Sequence, residues 1–96
     1  MIDYNQIESL MMSGQTERAM EILSCEIERL KAGDDLEAIA DAYFHRGKLY
    51  WKLGKRPEAT SDYVKAADMN PSGPASTALE QARDVESFFN PDLYNP

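Results

Sequence analysis

The stretch "GKLYWKLGKRPEA" runs from Gly47 to Ala59, and its spacing decides the fold. Small residues (Gly47, Gly54, Ala59) alternate with the large rings of Tyr50 and Trp51 among the cations Lys48, Lys52, Lys55 and Arg56. A glycine inside a helical run costs about 1 kcal/mol relative to alanine, so a reason other than propensity must keep Gly47. Close approach of a second helix is such a reason. Gly54 suits the left-handed residue that ends a helix. Pro57 suits the first turn of the next one, where a missing N–H is no loss. The stretch therefore reads as a helix end, a tight turn and a helix start. Gly47 would meet Ala59 and Ala66 across that turn, with Tyr43, Tyr50 and Tyr63 filling the space around the contact.

Outward from this hairpin, apolar spacing and stop signals predict five helices and no strands. Asp3 caps the first, with Gln6 three residues on. Ile7, Leu10 and Met11 form its stripe, and Ser13-Gly14 ends it. Thr16 is expected to cap the second helix, which carries Ala19, Met20, Leu23, Ile27 and Leu30 and closes at Gly33. Asp34-Asp35 opens the third, with Leu36, Ile39, Tyr43, Gly47 and Tyr50 on its packed side. The fourth carries Ala59, Tyr63, Ala66 and Ala67 and stops at Asn70-Pro71. The fifth carries Ala75, Ala78, Leu79, Ala82, Val85 and Phe89 and stops at Asn90-Pro91. Connections this short make neighbouring helices antiparallel.

The chain repeats itself. Gly14 precedes Ala19 by five residues, as Gly54 precedes Ala59, and Leu10 and Tyr50 keep the same 40-residue offset. Tyr43, Gly47, Tyr50, Ala59, Tyr63 and Pro71 follow the spacing of the tetratricopeptide repeat, a helix–turn–helix unit of about 34 residues, and the chain resembles that family. Tyr43 replaces the family's Trp, Arg46 its Leu and Tyr63 its Phe. The match is close over about 40–71 and degenerate over about 1–33. The resemblance implies an all-α fold: antiparallel hairpins stacked as a short right-handed superhelix. It divides residues 1–96, one domain, into repeat one (1–33), repeat two (34–71), a capping helix (74–89) and an extended tail (90–96).

The resemblance also implies a concave groove, lined by the first helix of each pair, that holds a partner peptide. On the third helix the face turned away from the packed stripe holds Asp41, Phe44, His45, Lys48, Trp51 and Lys52. On the first it holds Tyr4, Asn5, Glu8, Met11 and Met12. The partner-binding candidates are Phe44, His45, Lys48, Trp51, Lys52, Tyr4, Glu8 and Met11, since interfaces favour aromatic anchors and adaptable methionines. Phe44 and Trp51 either line the groove or pack against the neighbouring hairpin, and Met11-Met12 read more readily as core filler. The family's carboxylate clamp of Lys and Asn is not reproduced: Tyr4, Glu8, Phe44 and Lys48 stand in those places. The basic face still favours an acidic ligand or a C-terminal carboxylate. The tail Phe88–Pro96 is read as a strap over the last helix, or else as a segment that enters a second copy.

Composition narrows the field. With Asp+Glu 17 against Lys+Arg 10, the formal net charge of −7 repels phosphate backbones and anionic lipid, so neither nucleic acid nor membrane is an expected partner. No apolar run approaches the ~20 residues of a bilayer span, and the N-terminus has no signal-peptide pattern. The single Cys25 fits a reducing, cytoplasmic setting and is expected to be a small buried hydrophobe beside Leu23 and Ile27. His45 is the only histidine, so no metal centre, cofactor or catalytic site is expected. The leading reading is a protein-interaction module; the alternative is a structural protein that associates with itself as a homodimer.

Overall fold

The computed structural model describes residues 3–89, with side chains through Ala82. Five helices follow in chain order: α1 (Tyr4–Met12), α2 (Thr16–Lys31), α3 (Leu36–Lys52), α4 (Arg56–Met69) and α5 (Pro74–Phe89). The fold is all-α, without strands among the described residues. Each helix packs on the next in sequence.

The 40-residue repeat is physical. Gly14 and Gly54 have φ of 82° and 78°, and a Cβ at either position would meet nothing within 4 Å. Glycine is needed there for the backbone angle alone. Gln15 N–H donates to the Leu10 carbonyl at 2.8 Å, and Lys55 N–H to the Tyr50 carbonyl at 2.9 Å. Gly14 and Gly54 N–H groups donate to Met11 and Trp51 at 3.1 Å each. Both turns are the same Schellman cap.

Gln15 and Lys55 also accept the first hydrogen bond of the following helix, from Ala19 and Ala59. The N-cap of α2 is therefore Gln15, without a side-chain bond, and Thr16 is already its first helical residue. A three-residue connection leaves no room for a separate cap. The other helix starts follow the sequence. Asp3 accepts from the backbone N–H of Asn5 and Gln6, and Asp35 accepts from that of Ala38.

Gly47 is needed for space. A Cβ there would stand 2.7 Å from Cε1 and 2.9 Å from Cδ1 of Tyr63, and 3.3 Å from the Ala59 carbonyl oxygen. Gly47 pairs with Ala59 and Tyr63, and Arg46 with Asp62, across the turn that Gly54 makes. That register is antiparallel.

The core runs along the stack in three clusters. Ile7, Ala19, Leu23 and Leu49 join the first hairpin to α3. Ile27, Ile39, Ala40, Ala42, Tyr43, Ala66 and Ala75 fill the middle. Ala59, Tyr63, Leu79 and Ala82 lie between α4 and α5. Ala42 and Leu49 belong to this core although the stripe read from α3 omitted them, because α3 is covered on three sides.

Three expectations are corrected. Leu36 is 57% exposed: it opens α3, at the end of the stack, where no preceding turn covers it. Met12 is 89% exposed, being the last residue of α1, while Met11 is half-buried against the first cluster. Cys25 is exposed. The buried positions of α2 are Ala19, Leu23 and Ile27, four apart, so a residue midway between two of them faces the opposite side. The tail at 90–96, and the side chains of Val85 and Phe89, lie outside the described residues.

Arg46, which stands where the repeat pattern has leucine, is held by hydrogen bonds from its guanidinium. Its Nε donates to Oδ2 and its Nη2 to Oδ1 of Asp62, both at 2.8 Å, and its Nη1 donates to Ser24 Oγ at 3.2 Å. Asp62 is 2% exposed. The guanidinium carbon lies 5.4 Å from the Tyr43 ring centroid and 5.7 Å from that of Tyr50. One cation thus joins α2, α3 and α4 through a two-pronged pair that satisfies the buried carboxylate.

Candidate functional site

The faces of α3 and α5 enclose a groove of about 630 Å³. From α3 it receives Phe44, Lys48, Trp51 and Lys52; from α5, Ala78, Gln81 and Ala82; from α4, Tyr63. Its size is that of an ordinary ligand cleft. The described α5 side of the groove is lined by small residues, Ala78 and Ala82, with Gln81 between them.

Local structure explains the arrangement. Residues 44, 48, 51 and 52 recur at helical spacing on one face of α3. Behind that face, Gly47 lets the Tyr63 ring lie against the α3 backbone, where it becomes the groove floor. The Phe44 and Tyr63 ring centroids are 5.9 Å apart at 41°. Phe44 and Trp51 are both half-buried and both pack on the third core cluster. They pack at the base and line the groove at the same time.

Cations surround the rings. Lys48 Nζ is 5.5 Å from the Phe44 centroid, and the Arg56 guanidinium is 5.0 Å from that of Trp51. Contacts of this kind are worth about 0.5–1 kcal/mol at exposed sites, so they bias where the cations sit without locking them.

The other candidates lie elsewhere. Tyr4 stacks on His45 with centroids 3.7 Å apart at 18°, joining α1 to α3. His45 meets Phe44 edge-on at 5.5 Å. Burial holds the His45 imidazole below its usual pKa, outweighing the Asp41 carboxylate 3.8 Å away, which favours the charged form. Burial, and then Asp41, push the Tyr4 phenol up. Both rings therefore stay neutral at pH 7. Glu8 is exposed, and Met11 is half-buried against the first core cluster. Of eight candidates, Phe44, Lys48, Trp51 and Lys52 share one groove. Tyr4, His45, Glu8 and Met11 do not.

Sequence reasoning missed the groove's floor and its far wall. From sequence Tyr63 reads as hairpin filling, and its second role follows only from where α5 lies. Small residues at 75, 78 and 82 were the available signal for that wall. Among the described residues no group of His, Cys, Asp and Glu is placed to hold a metal ion, and no helix is long and apolar enough to cross a membrane.

Neither a family model nor a curated protein matches the chain. It is similar to protein BF1650 of Bacteroides fragilis. The solution NMR structure of that protein superposes with a TM-score of 0.78 at 32% identity, over 99% of this chain and 91% of that one. The likeness spans both hairpins and α5 together.

Proposed function

We propose that the chain is a cytoplasmic protein-interaction module of the tetratricopeptide-repeat type, whose α3/α5 groove holds a peptide segment of a partner protein. One observation carries this reading: Phe44, Lys48, Trp51 and Lys52 line a single groove with an aromatic floor. Anchors of this type dominate interface energetics when a partner covers them. The repeated Schellman turns support the resemblance to the repeat family, in which the first helix of each pair faces the ligand.

Peptide-display selection on the purified chain tests the proposal. The counter-target is Phe44→Ser/Lys48→Glu/Trp51→Ala, shown to be folded by circular dichroism. Peptides retained by the parent and lost on the variant are expected. Trp51 is the only tryptophan, so its emission should shift to the blue as such a peptide covers the ring. Equal retention by both proteins, or none by either, refutes the reading.

A further inference from the structure

The groove does not carry one sign of charge along its length. At the C-terminal end of α3 it is flanked by Lys48 and Lys52, with Arg56 stacked on Trp51. Toward the N-terminal end a second hollow, about 330 Å³, is bordered by Asp35, Glu37 and Asp41. Phe44 lines both hollows, and α5 contributes Pro74 and Ala75 at the acidic end and Ala78, Gln81 and Ala82 at the basic end. Because they share Phe44, we read the two hollows as one trough between α3 and α5. Among the described residues Lys48, Lys52 and Glu37 form no ion pair, and all three side chains are exposed.

Helix geometry sets the scale. At about 1.5 Å per residue, Asp41 and Lys48 are separated by roughly 10 Å along α3, and Glu37 and Lys52 by roughly 22 Å. An extended peptide covers about 3.3 Å per residue, so it crosses these spans in about three to seven residues. Phe44 lies between Asp41 and Lys48 along α3, with the Tyr63 ring against it and Trp51 at the basic end. We propose that the trough binds an extended partner segment with an acidic residue at one end, a basic residue about three to seven positions away, and an apolar side chain between them.

This inference rests on the groove reading above and adds the chemistry of the ligand. A uniformly acidic segment would set like charges against Asp35, Glu37 and Asp41, and a uniformly basic one against Lys48 and Lys52. Juxtapositions of that kind discriminate strongly between partners. A small ion of either sign reaches only one end.

The test is a selection from a ten-residue peptide library with one fixed central aromatic and all other positions random. It is run on the parent chain, on Lys48→Glu/Lys52→Glu and on Glu37→Lys. These three side chains are exposed, so the variants should fold, and circular dichroism checks this. On the parent, enriched peptides should carry opposite charges on the two sides of the aromatic, in either chain direction. Lys48→Glu/Lys52→Glu should weaken such a peptide about tenfold or more and enrich peptides basic on both sides. Glu37→Lys should weaken the same peptide and enrich acidic ones. Enrichment with charge of one sign, or with no charge pattern, overturns this inference while leaving the groove reading intact. No groove-dependent enrichment overturns both. Concentration-dependent dimerisation abolished by Lys48→Glu/Lys52→Glu would also overturn it, since a second copy would then be the occupant.

Discussion

Replacing Gly47 with alanine should give an effect whose sign depends on residue 63. The new Cβ would stand 2.7 and 2.9 Å from two ring carbons of Tyr63. Carbon atoms attract best at about 3.5–4.0 Å, so the ring must retreat by roughly 1 Å. Overpacking of this kind costs about 1–3 kcal/mol. Against it, alanine at a helix interior recovers about 1 kcal/mol. Gly47→Ala should therefore destabilise the parent by about 1 kcal/mol, or about 4–8 °C in Tm for a domain of this size. In a Tyr63→Leu background the ring is gone. Only the Ala59 carbonyl, at 3.3 Å, still presses on the new methyl. There Gly47→Ala should be neutral or stabilising by up to about 1 kcal/mol. Urea titration of the four proteins, followed by far-UV circular dichroism, measures the coupling. An equal loss in both backgrounds would refute the claim that the tyrosine ring is what requires glycine. Because Tyr63 is also the groove floor, Gly47→Ala should weaken any groove ligand as well.

Other consequences can be checked with the same material. Asp62→Ala strands the Arg46 guanidinium and should cost about 3–5 kcal/mol, whereas Arg46→Met with Asp62→Leu should cost far less; equal losses in urea titration would contradict this. His45 is held below its ordinary pKa by burial, so as pH falls through about 6.5 the unfolded chain takes up a proton first, and stability drops toward the lower folded value. His45→Phe, which keeps a ring against Tyr4, should flatten that slope; an unchanged slope counts against His45 as its origin. Cys25 should react fully with a chromogenic disulfide reagent in native buffer, and labelling that waits for denaturant would mean that the thiol is covered.

How legible the molecule was depends on the range of the forces involved. The helix boundaries set by Gly14, Gly54, Asp3, Asp35 and Asn70 could be read directly, because backbone angle and capping are local properties. The antiparallel pairing of α3 and α4 could also be read, since small residues at 47, 59 and 66 are required wherever two backbones approach. Periodicity alone misled where a helix ends or is covered on several sides. Leu36 and Met12 are apolar yet exposed, Leu49 is buried off the expected stripe, and Cys25 is next to core residues in sequence but opposite them on the helix.

The candidate site divides in the same way. Phe44, Lys48, Trp51 and Lys52 were identifiable because helical spacing puts them on one face regardless of what that face meets. That Tyr63 forms the floor, that alanines of α5 form the far wall and that His45 turns instead to Tyr4 depended on how the hairpins stack. The partner of Arg46 was equally hidden, because a single substitution in a repeat pattern does not say which carboxylate answers it. Local chemistry determined where this chain turns and which sides of its helices are apolar. The tertiary structure decided which of those sides were covered, because coverage is settled by distances between helices that no stretch of sequence contains.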